Sequence, residues 1–281
     1  MTLTFILAHT FFSIGQTNKE DKIEAKQIAK ARVKSLTQTS HEYIADLQSG
    51  TLVPAVKGVK IVLRQYDSLG NVIEQIDFND NGVAVSKTKF KYSRGNMSEQ
   101  SVYTSTGALT QRNTFRYDSH GSLIEMVTYD EHNKLDNVNP IKPTYDEKAN
   151  LILTVAQDIE GNELSREEME YDEGGRCTED KLYQNGRLVS KEIYHYDGRG
   201  FMDEYEWHGG NDDLSDRHEM YTRNDAGRIT QVKLYDANSL PYRTDLYKIN
   251  SKGLITEVQR IDNTSGTNNP VGVYKYVYNF Y

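Results

Sequence analysis

A five-residue pattern, Tyr-Asp-x-x-Gly, recurs along the sequence and constrains its fold more than any other feature. It stands at Tyr66–Gly70, Tyr117–Gly121, Tyr171–Gly175 and Tyr196–Gly200. The residues that close these main turns follow one another at intervals of 25 to 28 residues and define eight units. They are Gly70, Gly95, Gly121, Ala149 or Asn150, Gly175, Gly200, Gly227 and Gly253. Repetition at such a spacing indicates a repeat architecture.

A second, weaker turn follows each main turn after roughly 12 residues, which is the length of one strand and its turn. These turns are centred on Gly82, Gly107, Asn133, Gly161, Gly186, Gly210, Ser239 and Gly266. In the main turns, Asp accepts a hydrogen bond from the backbone two residues on, and Gly supplies the left-handed conformation that returns the chain. Each unit is therefore predicted to be strand, turn, strand, turn.

The stretches between turns, such as Ser122–Tyr129, have the length of ordinary strands. Connections this short join antiparallel neighbours, because parallel strands need long crossovers. The sequence therefore predicts an all-β fold, a long antiparallel β-meander of about 17 strands built from eight repeats of ~26 residues. Since open sheets rarely exceed ~10 strands without curling, we expect a single coiled or curled sheet, open or shell-like.

Composition supports an extended sheet and excludes some partners. Only 37% of the residues are apolar, yet there are 20 tyrosines, whose amphipathic rings suit a half-buried surface. The net charge of -8, without a basic stripe, argues against nucleic acid as a partner. Cys177 is the single cysteine, so no internal disulfide is possible, and we expect it to be an inert strand residue.

The N-terminal segment, residues 1–16, is apolar and then gives way abruptly to polar sequence. It is too short to span a bilayer but is typical of a secretory signal peptide, with a buried N-terminal strand as the alternative. We predict a short helix or linker over residues 17–32 and the β-repeat domain over residues 33–281. The mature chain is then expected to be secreted, periplasmic or on the cell surface, with no transmembrane segment.

Two features of the repeats themselves carry expectations. The tyrosines that precede the main turns favour a structural cross-strand ladder over a ligand-stacking surface. Arg223 and Ile249 replace this tyrosine in later units, with Tyr221 and Tyr247 two residues earlier on the same predicted face. The insertion Asp136–Pro143 interrupts the pattern and is one place where function is expected.

The stretch Glu204–Glu219 is the other departure from the repeat. Its possible ligand-binding residues are Trp207, His208, Asp212, Asp213, Asp216 and His218. A tryptophan beside a polar loop suits a sugar, and clustered carboxylates suit Ca²⁺. The spacing matches no EF-hand, so an elongated turn with solvated acids is the favoured interpretation.

His195, His208 and His218 would form a metal site only if they lay on adjacent strands and on one face. Surface histidines are the favoured alternative. The sequence contains no Gly-x-Ser-x-Gly turn and no glycine-rich phosphate loop opening onto a helix. We therefore predict no catalytic residues, no metal site and no cofactor, and a protein that is not an enzyme.

The C-terminal strand, Val273–Tyr281, alternates aromatic residues and resembles the last strand of an outer-membrane barrel. Strands such as Ser165–Tyr171 argue against a lipid-facing barrel because they place charges on both faces. We interpret the terminal strand as a cap of the sheet.

The recurring Tyr-Asp-x-x-Gly-x-Leu/Ile pattern over most of residues 33–281 resembles the YD-repeat class related to RHS proteins, especially short exported YD-type proteins of Bacteroidetes. In large RHS proteins this resemblance implies a spiral β-sheet that forms a shell around a toxin domain. The present sequence departs from that pattern, since it shows neither an effector domain nor an autoproteolysis segment.

These observations predict an exported scaffold or binding module for a glycan or protein of the envelope or the surroundings. A shell-like component of an RHS-type toxin or delivery system is the alternative, and an unrecognised hydrolase is a third.

Overall fold

The computed structural model describes residues 19–46, 49, 51–210, 217–264, 266 and 268–281. Helix α1 (Lys19–Ala31) comes first in this part of the chain. Arg32 follows it in the left-handed conformation, with a φ of 55°. The expected change from helix to strand at residue 32 falls at this residue, whereas the predicted signal peptide, residues 1–16, lies outside the described residues.

Strands make up most of the remaining described chain. They are β1 (Val33–His41), β2 (Tyr43–Ala45), β3 (Leu52–Pro54), β4 (Val59–Tyr66), β5 (Val72–Phe78), β6 (Ala84–Ser93), β7 (Asn96–Thr104), β8 (Leu109–Tyr117), β9 (Leu123–Tyr129), β10 (Leu135–Tyr145), β11 (Leu151–Gln157), β12 (Glu163–Tyr171), β13 (Cys177–Gln184), β14 (Arg187–Tyr196), β15 (Met202–Gly209), β16 (Arg217–Arg223), β17 (Ile229–Tyr235), β18 (Pro241–Ile249), β19 (Ile255–Asp262) and β20 (Asn269–Phe280).

Among the described residues, 18 strands form one antiparallel sheet that closes on itself. From β4 to β20 each strand pairs with the next in the chain, and β1 pairs with β20 on one side and β4 on the other. Leu36 of β1 lies opposite both Tyr278 and Arg64. The sheet is an up-and-down β-barrel, with β2 and β3 forming a separate small hairpin.

The prediction of a coiled or curled sheet of about 17 strands, open or shell-like, is therefore wrong, because the 18 strands close into a barrel. An open meander would leave unpaired backbone groups along β4 and β20, its two edges. The first strand fills that gap and hydrogen-bonds to both edges at once. Closure depends on β1 meeting both β4, the next strand of the sheet along the chain, and β20 at the far end of the sequence, and no repeat motif records the contact with β20.

The turn chemistry is confirmed. Asp118 Oδ1 accepts hydrogen bonds of 2.9 Å from the backbone of His120 and of Ser122. The predicted main-turn residues all have positive φ, with Ala149 rather than Asn150 in the fourth unit. The second-turn residues also have positive φ except Gly210, which borders residues 211–216 outside the described chain.

The two faces of the barrel wall differ sharply in exposure. The inner face carries buried side chains, among them Asn113, which is 0% exposed, and Leu234, which is 2% exposed. The outer face carries charged side chains such as Lys91 and Arg116, which are 70% and 67% exposed.

Three tyrosines that precede main turns, and Tyr278 near the C-terminus, link neighbouring strands through their hydroxyls. Each hydroxyl donates to the backbone carbonyl at the start of the preceding strand, whereas the predicted ladder rested on contacts between aromatic rings. The bonds are Tyr92 to Val72 at 3.0 Å, Tyr171 to Leu151 at 2.8 Å, Tyr196 to Cys177 at 2.6 Å and Tyr278 to Ile255 at 2.7 Å. Arg223 keeps this bond, since its Nη2 donates to the carbonyl of Met202 at 2.9 Å.

Helix α1 packs against the main-turn end of the barrel. Ile28 is buried among Val33, Leu36, Tyr66 and Leu254, which form a small apolar cluster. The helix lies so close to the turn at Gly70 that a Cβ there would meet the carbonyl oxygen of Ala25 at 2.0 Å. The helix therefore covers part of this end of the barrel, whereas the titratable side chains of the candidate sites lie on the barrel wall.

Candidate functional site

Three carboxyl groups on adjacent strands face the inside of the barrel. They belong to Glu167 on β12, Asp180 on β13 and Glu192 on β14, with Asp180 and Glu192 directly opposite each other. Asp180 and Glu167 are joined by a side-chain hydrogen bond. Thr154 donates to Glu167 at 3.3 Å, and the Tyr194 hydroxyl donates to Glu192 at 2.6 Å. We call these three acids the luminal carboxyl cluster.

Burial makes ionisation of the luminal carboxyl cluster costly. It raises the pKa of the Glu167 carboxyl well above the ordinary value for a glutamate. Burial also raises the pKa of Asp180, and the nearby charge of Glu167 raises it further. Two half-buried acids that hydrogen-bond to each other hold a proton between them, because two adjacent negative charges repel. This pair can therefore donate as well as accept a hydrogen bond.

Aromatic side chains continue the inner face beside the acids. The rings of Tyr194 and Tyr205 contact at a centroid distance of 5.6 Å. Trp207 lies opposite Glu192, and its Nε1 is buried without a hydrogen-bond partner among the described residues. An unpaired indole N–H is costly when buried, so a water molecule or a ligand oxygen would be favoured there.

A cavity of about 240 Å³ opens on the inner face between β9 and β12. Its apolar wall comes from side chains that include Met126, Ile141, Ala156 and Leu164. Its polar wall includes Asn137, Asn139, Ser165 and Glu167, the last of which belongs to the luminal carboxyl cluster. The Ser165 hydroxyl is buried and has no hydrogen-bond partner within the described chain.

The insertion Asp136–Pro143 lies within β10, where it extends the barrel wall. Alternate residues of this segment, Asn137, Asn139 and Ile141, line the cavity. One of the two departures from the repeat thus contributes directly to a pocket. Leu135, the first residue of β10, is 62% exposed, so the exposure of apolar side chains changes along the strand.

A second group of titratable side chains lies on the outer face of β14, β15 and β16. Glu206 Oε1 lies 3.0 Å from His195 Nε2, and Glu206 Oε2 lies 3.2 Å from His208 Nε2. Glu204 Oε1 lies 2.8 Å from His218 Nε2. We call these five residues the outer His–Glu cluster. Its histidines do lie on adjacent strands and on one face, the arrangement that a shared site requires.

The hydrogen bond from His195, the main cause, and that from His208 together hold the pKa of the Glu206 carboxyl below its usual range, against the opposing effect of burial. Glu206 therefore stays ionised in neutral solution and is available as an anionic ligand.

The thiol of Cys177, by contrast, is expected to be unreactive. Burial is the main cause that raises the pKa of its thiol to about 12, so the reactive thiolate is scarce.

Of the sequence-predicted site residues, the structure describes Trp207, His208 and His218, and these lie on both faces of the wall. Trp207 faces the lumen beside Glu192, whereas His208, the next residue, faces outward beside Glu206. His218 shares the outer face with His208. Asp212, Asp213 and Asp216 lie outside the described residues.

Sequence reasoning did not select five acids that the structure places in the two clusters. They are Glu167, Asp180, Glu192, Glu204 and Glu206. For the outer pair a signal exists, since Glu204, Glu206 and His208 alternate along one strand and must share a face. The luminal carboxyl cluster forms through the register between neighbouring strands. This register cannot be found from the residues of any one strand.

No family model matches this sequence, and no curated protein matches it. Among solved structures, the chain is similar to a porin-like protein from Bacteroides uniformis, with 10% identity, a TM-score of 0.43 and coverage of 88% of this chain and 98% of that one. A porin-like protein from Bacteroides vulgatus has 11% identity, a TM-score of 0.27 and the same coverage. A DUF1329 family protein from Desulfovibrio piger has 8% identity and a TM-score of 0.26, over 91% of this chain and 88% of that one.

These TM-scores lie below 0.5 and do not establish a shared fold. Within the described part of the chain, no helix is both long and apolar enough to cross a bilayer.

Proposed function

We propose that this protein is a non-catalytic binding module of the cell envelope or its surroundings, which holds a small amphipathic ligand in the luminal cavity. The observation that carries the proposal is the position of the cavity. It brings an apolar wall together with Glu167, a member of the hydrogen-bonded carboxyl pair, and with the hydroxyl of Ser165, which is unpaired among the described residues.

The lining defines the ligand chemistry. Met126, Ile141 and Ala156 offer an apolar surface for a short hydrocarbon part. Ser165 and Glu167 offer a hydrogen-bond donor and acceptors at the polar side. A cationic head group, such as a primary amine, would compensate the carboxyl cluster and displace the proton that Glu167 and Asp180 share. Binding would therefore strengthen as the pH rises.

Export to the envelope or beyond rests on the sequence. The apolar run over residues 1–16, followed by polar sequence, is typical of a signal peptide. The resemblance to exported YD-type proteins supports the same location. The outer face carries cross-strand ion pairs such as Lys91–Glu99 at 2.8 Å and Lys248–Glu257 at 2.7 Å. The partner or the surroundings that contact this face are therefore polar. Hydrocarbon does not accept such charges.

The two other candidate functions have less support. A shell that encloses a toxin needs an open chamber, whereas inner-face residues such as Asn113 and Leu234 are buried. A hydrolase acting on glycosides needs two carboxyls separated by at least about 5 Å, with the substrate between them. Glu167 and Asp180 instead hydrogen-bond to each other. We therefore favour binding over catalysis.

Calorimetric titration of the purified chain with octylamine, octanoate and an N-acetylglucosamine disaccharide tests the proposal. We expect octylamine to bind with 1:1 stoichiometry and octanoate to bind at least about tenfold more weakly, because a carboxylate meets the acidic cluster. Binding of the disaccharide alone would assign a glycan ligand instead.

Ala156→Phe should abolish binding by filling the cavity, since Ala156 lines it and is 8% exposed. Val155→Phe on the same strand is the matched control, because residue 155 faces the opposite side of the wall. Equal octylamine binding by both variants, or none by the wild-type chain, would contradict a luminal site.

A further inference from the structure

We propose that His195, Glu204 and Glu206 form a binding site for a divalent transition-metal ion, with Zn²⁺ as the expected ion, on the outer face of the barrel. One ligand atom from each of these residues lies within 4.8 Å of the other two. The site is separate from the luminal cavity, because it occupies the opposite face of the wall.

The register of one strand pair, β14 and β15, builds this site. His195 on β14 lies directly opposite Glu204 on β15. Glu206 follows Glu204 by two residues, so both carboxylates project from the same face. The three side chains therefore converge from two neighbouring strands of a closed sheet. Such a wall holds its ligands more firmly than a loop does.

The separations are close to those that a metal requires. Ligand atoms about 2.0–2.2 Å from a tetrahedral Zn²⁺ lie roughly 3.4 Å from one another. His195 Nε2 and Glu206 Oε1 are 3.0 Å apart, and the widest separation in the trio is within 4.8 Å. Small side-chain rotations would therefore bring all three atoms to bonding distance. The side chains are between 30% and 48% exposed, so an ion can reach them from solvent.

Two further histidines lie beside the carboxylates. His208 contacts the second oxygen of Glu206 at 3.2 Å. His218 Nε2 lies 2.8 Å from Glu204 Oε1 but makes no hydrogen bond within the described residues. The His218 ring is fixed by stacking on Tyr235 at a centroid distance of 5.0 Å. Neighbours of this kind orient metal ligands and raise affinity.

The donor set determines the class of ion. One imidazole nitrogen and two carboxylate oxygens are ligands that suit Zn²⁺ and related transition metals. Ca²⁺ prefers six to eight oxygen ligands, which this trio does not provide. Three protein ligands leave a fourth position for water or for a group from a partner molecule.

Calorimetric titration of the full chain with Zn²⁺, after treatment with a chelator, tests the site. We expect one ion per chain, and an affinity at least about tenfold weaker in His195→Gln and in Glu206→Gln. His132→Gln is the matched control, because His132 also lies near a glutamate, at 3.8 Å from Glu131, but is 71% exposed and outside the cluster. Its affinity should equal that of the wild type.

Addition of Co²⁺ to the wild-type chain provides a second measurement that does not depend on variant folding. A visible absorption band typical of four-coordinate cobalt, removed by equimolar Zn²⁺, is expected. The proposal is overturned if the wild-type chain takes up no Zn²⁺ at about 100 μM, or if His132→Gln weakens binding as much as Glu206→Gln does. The cluster would then be a set of ion pairs.

Discussion

Gly161 and Gly198 illustrate two different uses of glycine in this chain. Gly161 closes a turn with a φ of 87°, in the region that side chains disfavour, whereas Gly198 does not need that region. A Cβ added at either position would meet no heavy atom within 4 Å. The two positions therefore differ in backbone conformation and not in available space.

Gly161→Ala is expected to lower the free energy of unfolding by about 1–2 kcal/mol, because the left-handed conformation is strained for alanine. Gly198→Ala should change it by less than about 0.5 kcal/mol. Denaturant unfolding of both variants measures the difference. Equal effects would show that the turn conformation at residue 161 is not the one described.

The luminal carboxyl cluster predicts a pH dependence of stability. Asp180 has a pKa above its ordinary value in the folded chain, so the folded state binds a proton that the unfolded state has already released. Stability from this group is thus fully present at acidic pH and is lost as the pH rises through the raised value.

Asp180→Asn should flatten this dependence and leave the variant more stable than the wild type in alkaline solution, by about 1 kcal/mol or more. Unfolding measured from about pH 5 to about pH 9 tests the effect, a range that lies above the titration of ordinary aspartates. A wild-type chain that gains stability over this range through Asp180 would contradict the shared proton.

At the scale of single elements, the main turns could be predicted because their chemistry is local. The two backbone amides that donate to Asp118 Oδ1 lie within four positions of it. The faces of the strands were harder to predict. A register shift occurs between Arg116 and Tyr117 and between His195 and Tyr196, so counting residues across a turn does not give the face.

The residues of the candidate sites also differ in whether local sequence predicts their position. Alternation alone separates Trp207 from His208, and the sequence could have shown this. The meeting of Glu167, Asp180 and Glu192 depends on the pairing of three strands, each shifted by its own turn geometry. Such a cluster has no motif in the sequence, because its members are separated by 12 or 13 residues of repeat.

The tyrosine ladder gives a prediction at this scale. Tyr196→Phe removes the hydroxyl that donates to the carbonyl of Cys177 and should cost about 1 kcal/mol of unfolding free energy. Tyr183→Phe is the control, since the Tyr183 ring lies under the Arg166 guanidinium at 4.1 Å and its hydroxyl makes no hydrogen bond with the described residues. Thermal unfolding should show a lower midpoint only for Tyr196→Phe.

At the scale of the whole molecule, the sequence predicted the meander but not its closure. Strand order follows from short turns, whereas closure depends on how β1 meets β4 and β20. Thr39 is the residue where this is clearest, because it lies opposite Lys60 on β4 and opposite Lys275 on β20. The contact with Lys275 spans most of the chain, and the repeat pattern contains no information about it.

A distance between spin labels on β4 and β20 tests the closed barrel most directly. The labels would be placed at Lys60→Cys and Lys275→Cys, with Cys177→Ser to remove the native thiol. Two strand spacings separate these positions in the barrel, roughly 10 Å between Cα atoms, so the labels should lie within about 25 Å of each other. In an open meander the same strands would be sixteen spacings apart, on the order of 75 Å, and a distance above about 60 Å would contradict closure.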